Sequence, residues 1–197
     1  MYSPATQEEV RTVVFILFAA LLCLLMVTGC ANGEATVWSA SNGGTLPGDP
    51  GQNYSGGGGD SAGLCVNRLP GFSAQESEFI EEVCILTNQE RERQGLPPLT
   101  LDVKMSEAAQ AHAVDMHTRS YFSHDNPEGE SPFDRMRNLG IKFGYAAENI
   151  ARGYPTPQDV IDGWMKSSGH RANILHSKMK RIGVGYHRGY WVQNFAD

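Results

Sequence analysis

The sequence predicts an α+β domain in which helices cover both faces of a small antiparallel sheet, a three-layer α-β-α sandwich. Three observations carry this. Four segments open with helix-capping residues and continue with apolar side chains at helical spacing. Three mostly apolar segments of strand length gather in the C-terminal half, and the last two are joined through Arg188-Gly189, a hairpin signal. Of the 197 residues, 41% are hydrophobic and 19% charged, a composition that suits one globular domain with tails.

Ser73-Ala74-Gln75-Glu76 is a capping box, followed by Phe79, Ile80, Val83, Leu86, Thr87 and Glu90 at helical spacing as far as Gly95. After Pro97-Pro98, Asp102 caps a second helix whose buried stripe is Met105, Ala108, Ala109, His112, Ala113 and Met116; its small residues permit close packing. Ser131-Pro132-Phe133-Asp134 places an N-cap before Pro at the first helical position, and that short helix stops at Gly140. Thr156-Pro157-Gln158-Asp159 repeats the arrangement for a fourth helix with Val160, Ile161, Trp164 and Met165 on one face. Residues 145–152, 182–187 and 190–196 have strand character.

Ahead of the domain, residues 13–27 form an apolar run preceded by Arg11. At 15 residues it is shorter than the roughly 20 a membrane span requires and suits an export signal. It ends in Val27-Thr28-Gly29-Cys30, which resembles a bacterial lipobox and implies a lipidated Cys30. An uncleaved anchor and plain secretion are the alternatives, and all three place the domain outside the cytoplasm. Ten of the 22 glycines fall in residues 31–63, which hold no Lys or Arg, so this stretch reads as a flexible tether. The expected layout is a lipoprotein signal peptide at 1–29, lipidated Cys30 with a glycine-rich linker at 30–72, and a folded domain at 73–197. Cys23 lies inside the signal, leaving Cys65 and Cys84 as the candidates for a disulfide in an oxidising compartment, or as two isolated cysteines.

The net charge of −6 argues against nucleic acid as a partner. Residues 73–134 hold four Lys/Arg against thirteen Asp/Glu, and residues 135–197 hold ten against four. Either the halves neutralise each other across one monomeric domain, or Lys166, Arg171, Lys178, Lys180 and Arg181 form a basic face for an anionic polymer or headgroup.

Six histidines are candidates for chemistry. His112 lies on an apolar helical stripe and reads as a packed, hydrogen-bonded core residue, while His117, His176 and His187 default to the surface. His124, in the polar loop Tyr121-Phe122-Ser123-His124-Asp125-Asn126-Pro127, can be aimed into a cleft. His170 follows Gly169 at the end of the fourth helix.

Several motifs together resemble a bacterial CAP domain, of the SCP-like extracellular superfamily named for cysteine-rich secretory proteins, antigen 5 and plant pathogenesis-related 1 proteins. They are Leu86-Thr87-Asn88-Gln89-Glu90-Arg91, Gly95-Leu96 with Leu99, Phe122-Ser123-His124, Glu148-Asn149-Ile150-Ala151, the stretch from Trp164 to Leu175, Ile182-Gly183-Val184-Gly185-Tyr186 and Trp191-Val192-Gln193-Asn194-Phe195. The resemblance implies an α-β-α sandwich with a central cleft in which two His and two Glu converge and can hold a divalent metal. By motif, His124, Glu148 and His170 match three of the four. Ser167 stands where the other glutamate would be, three residues after Trp164. Two imidazoles and one carboxylate still form a candidate set for Zn²⁺ or another divalent cation.

No catalytic residue is assigned, because a hydrolase would need Glu148 as both ligand and base, and no nucleophile-elbow motif accompanies Ser123, Ser167 or Ser168. The expected protein is a membrane-tethered binding module. His124, Glu148, Ser167 and His170 form its polar cleft floor, Asn149 and Asn194 support the backbone, and its partner is a cell-wall polymer, lipid or host protein. The competing expectation is a divalent-metal-dependent hydrolase.

Overall fold

The capping chemistry written in the sequence places the helices. Helix α1 (Ala74–Arg93) starts at the Ser73/Glu76 capping box with both reciprocal hydrogen bonds formed. The Asp102 carboxylate caps α2 (Val103–Thr118), Ser131 caps α3 (Pro132–Asn138) and Thr156 caps α4 (Pro157–Lys166), the last two with Pro in the first turn. These elements come from a computed structural model that describes residues 63–65 and 69–197. The signal segment, Cys30 and most of the glycine-rich stretch lie outside the described residues. Among the described residues no helix is long and apolar enough to cross a membrane.

The sheet has four strands, β1 (Thr100–Leu101), β2 (Ala146–Arg152), β3 (Arg181–His187) and β4 (Tyr190–Ala196), in the order β1-β3-β4-β2. Strands β3 and β4 pair antiparallel, as do β4 and β2, with Glu148 opposite Asn194 and Asn194 opposite Gly183. The expected all-antiparallel sheet is corrected at one edge, where β1 runs parallel to β3. Two residues cannot show a strand periodicity; their pairing is created by Lys180 and Ile182, whose carbonyls accept the amides of Thr100 and Asp102.

Alternation along the strands divides the core. Ala146, Ile150, Val192 and Ala196 face α2 and α3, against Met105, Ala109, Ala113, Phe133 and Met136. Ala147, Ala151, Trp191 and Phe195 face α1, α4 and the following helix, against Ile80, Val83, Ile161, Trp164 and Ile174. The three-layer expectation therefore holds. Helix α2 lies so close to β3 that a Cβ on Gly183 would come within 2.2 Å of the Met105 backbone, and one on Gly185 within 2.3 Å of Ala109. The alanines of the α2 stripe and these glycines are one packing solution.

Two boundaries differ from expectation. The fourth helix does not reach His170: Ser167 takes an extended conformation (φ −90°, ψ 122°), and a separate helix α5 (Ser168–Ile174) carries His170. Ser167-Ser168-Gly169 is a weak helix sequence, which lets the chain turn there. The folded body also begins before residue 73. Cys65 and Leu69 are buried in the core, the Leu101 amide donates to the Leu64 carbonyl at 3.0 Å, and Cys65 is disulfide-bonded to Cys84. The expected disulfide thus closes a sequence separation of 19, which contributes about 3 kcal/mol in the chain-entropy picture.

The motif around Asn88 and Arg91 acts as a clamp. The Asn88 amide pairs with both the N–H and the C=O of Leu99, at 2.7 and 2.9 Å. Arg91, fully buried, donates to the carbonyls of Pro97, Ile174, His176 and Met179. Burial pushes its guanidinium down to about 10.

Candidate functional site

Strand β2 ends the sheet, so its outer edge needs cover. Two side chains from the α4–α5 segment supply it: the Trp164 indole donates to the Ile150 carbonyl at 3.3 Å, and the Asn173 amide donates to the Glu148 carbonyl at 3.4 Å. Asn149 donates to the His170 carbonyl at 3.1 Å and accepts from Asn173 at 2.9 Å, so α5 is held along the edge by a ladder of amides.

On the other side of β2, the Glu148 carboxylate points toward α3 with no exposed side-chain surface. One oxygen accepts from His124 Nδ1 at 2.7 Å and the other from Arg135 at 2.8 Å. Arg135 also donates to the His124 carbonyl at 2.9 Å and to the Glu130 carbonyl at 3.0 Å. Arg135, Glu148 and His124 therefore close a ring of hydrogen bonds. A carboxylate only accepts, so Nδ1 of His124 carries a proton, and the other ring nitrogen is Nε2. That nitrogen is buried and has no hydrogen-bond partner, as are Arg135 Nε, Asp125 Oδ1 and Asn194 Oδ1.

The loop carrying His124 is tied down from two sides. His112 Nε2 donates to the Ser123 carbonyl at 2.9 Å, and Asn126 bonds both backbone and side chain of Glu130. His112 is the packed core residue its stripe predicts, and its burial lowers its affinity for a proton. His170 is 8% exposed, and burial pushes its imidazole down to about 4.

The structure thus joins His124 and Glu148 directly and sets His170 near them, with Asn149 bracing the His170 backbone. Two other expected members, Ser167 and Asn194, make no hydrogen bond to these three side chains. Ser167 is the hinge between α4 and α5; its hydroxyl caps no amide, and no hydrogen bond links it to His124, Glu148 or His170. Asn194, the cross-strand partner of Glu148, donates at 3.5 Å to the Met105 carbonyl and so braces α2. The surface expectation for three histidines also needs correction. His117, His176 and His187 are all half-buried: His187 bonds Glu76 at 3.3 Å and packs against His117, and His176 packs against Tyr145. Of the suggested basic face, Arg181 is half-buried and paired with Asp102, Lys178 donates to the Tyr145 hydroxyl, and Lys166, Arg171 and Lys180 are exposed.

Arg135 is the residue that motif reading missed. The available signal was its position: an arginine three residues after Pro132 and beside Met136 lies on the buried face of a short helix. Its presence changes the metal question. Among the described residues, no three His, Cys, Asp or Glu side chains are grouped to hold a metal ion. The Glu148 carboxylate has no exposed surface and lies against the Arg135 guanidinium, so His124, Glu148 and His170 do not fit the expected Zn²⁺ ligand set.

A mixed sheet between two helical layers, with a histidine–carboxylate pair at its edge strand, defines an SCP-type domain. Residues 85–195 match the Cysteine-rich secretory protein family, CAP, and the chain belongs to that family. It is 46% identical over 132 residues to "Uncharacterized protein YkwD" of Bacillus subtilis (strain 168), covering 66% of this chain and 51% of that protein. It is 37% identical over 115 residues to "Uncharacterized membrane protein YlbC" of the same organism, covering 58% of this chain and 33% of that one. The matches therefore span about half, or less, of the length of these relatives. Among solved structures, it is similar to an extracellular protein containing an SCP domain from Bacillus anthracis str. Ames, with a TM-score of 0.61 and 32% identity over 64% of this chain and 44% of that one.

Proposed function

We propose that the protein is an extracytoplasmic binding module, held at the membrane by a lipid on Cys30, whose cleft along β2 engages a cell-envelope component, lipid or host molecule. The observation that carries this reading is the buried ring of Arg135, Glu148 and His124 beside His170, a preorganised polar floor. The export-type N-terminus and the extracellular character of the Bacillus anthracis relative support the location. The competing reading, a divalent-metal-dependent hydrolase, is disfavoured by the guanidinium on Glu148, where that chemistry would want a metal or a free base.

Sedimentation of the full chain with purified wall polymer and with phospholipid vesicles tests the cleft. His124→Ala combined with His170→Ala is expected to reduce the bound fraction, whereas unchanged binding to every target would overturn the role of the cleft. The mass of the N-terminus isolated from cells tests the anchor, which an unmodified Cys30 would refute. Turnover of labelled peptide or peptidoglycan that chelator abolishes would favour the hydrolase.

A further inference from the structure

The charge of Glu148 is met inside the protein. Its carboxylate has no exposed surface, and each oxygen already accepts a short hydrogen bond, from His124 at 2.7 Å and from Arg135 at 2.8 Å. A divalent ion ligated by either oxygen, at about 2.0–2.2 Å, would have to reach a carboxylate with no exposed surface and stand against the positive charge of Arg135. Arg135 is not free to leave, because its other donors hold the carbonyls of His124 and Glu130, and a guanidinium does not shed its charge to make room. An ion held by the two imidazoles alone would need water at its remaining positions, yet Nε2 of His124 is fully buried.

We propose that Arg135 is the resident cation of this cleft: it occupies the electrostatic place of a divalent ion on Glu148 and fixes the His124 ring with Nδ1 on that carboxylate, making the cleft a metal-independent hydrogen-bonding site. Arg135 is on this view a positioning residue. It acts on His124 from two directions, through the Glu148 carboxylate at the ring and through the carbonyl at the backbone.

The test is calorimetric titration of the full chain with Zn²⁺, alongside His124→Ala, Glu148→Gln and Arg135→Gln, with nitrogen NMR of the His124 ring. For the wild type, the expectation is that any zinc heat is unchanged by His124→Ala and Glu148→Gln, and that His124 keeps its proton on Nδ1 in saturating zinc. In folded Arg135→Gln, a site roughly tenfold or more tighter is expected to appear, and to vanish when His124→Ala is added. Saturable wild-type binding of one zinc per chain that both His124→Ala and Glu148→Gln abolish would overturn the proposal, as would a folded Arg135→Gln with no gain. Should Arg135→Gln not fold, the wild-type arm and the Nδ1 proton of His124 decide alone.

Discussion

Arg91 and Arg135 are both buried, on opposite faces of one sheet, and they do different work. Arg91 meets only backbone carbonyls and binds α1 to the segment after α5. Arg135 meets a carboxylate and the backbone of the loop that carries His124. The contrast extends to their surroundings. The buried polar residues on the Arg91 side, Thr87, Asn88, Asn149, Asn173 and Gln193, are joined by hydrogen bonds. The unpartnered buried atoms among the described residues belong to His124, Asp125, Arg135 and Asn194, on the Arg135 side or in its loop. One face is satisfied as a scaffold, and the other keeps unused hydrogen-bonding capacity.

Rescue experiments would break this comparison most directly. Arg91→Met is expected to cost about 4 kcal/mol or more in denaturant unfolding, because it strands buried carbonyls, and no second side-chain change should restore it. Arg135→Met should cost about 3–5 kcal/mol, since it leaves the Glu148 charge buried and unpaired. Adding Glu148→Gln should return most of that loss, because the buried charge is then gone. If Arg135→Met/Glu148→Gln is no more stable than Arg135→Met, the two arginines are both scaffold and the contrast fails.

Replacing Cys65 and Cys84 together by alanine should lower stability by about 3 kcal/mol without changing the His124 ring signals, since the disulfide lies on the Arg91 side of the sheet. The remaining effect is that of pH. The folded state holds the His170 proton less tightly than the unfolded chain does, about 4 against an ordinary 6.5. Its contribution is therefore complete above about pH 6.5 and declines as pH falls toward 4, by up to about 1.4 kcal/mol per pH unit. His170→Asn should flatten the acid limb of the stability curve in that window; an unchanged slope would show that His170 is not the titrating group.

Much of the scaffold was legible because its signals are local. Ser73 with Glu76, Asp102, Ser131-Pro132 and Thr156-Pro157 each specify a helix start within a few residues, and each start was found. The site was legible in part. His124, Glu148 and His170 follow from motifs, but motifs do not carry the hydrogen bonds between residues, and so do not separate the directly joined pair of His124 and Glu148 from Ser167 and Asn194. Arg91 stood inside a recognised motif with its role hidden, because three of its carbonyl partners lie 83 to 88 residues further along the chain. Strand β1 escaped notice for the same reason, being two residues long and paired with residues far away in sequence.

The sequence by itself determined the class of fold, the helix starts set by capping, Cys65 and Cys84 as candidates for a disulfide, and the family to which the chain belongs. Periodicity, caps and motif order are properties of neighbouring residues and survive without coordinates. Only the tertiary structure decided which charge neutralises Glu148. Arg135 is 13 residues from it along the chain, on another element, and the two meet because α3 packs over the face of β2 on which Glu148 points. That meeting turns a predicted metal ligand into one half of a buried ion pair.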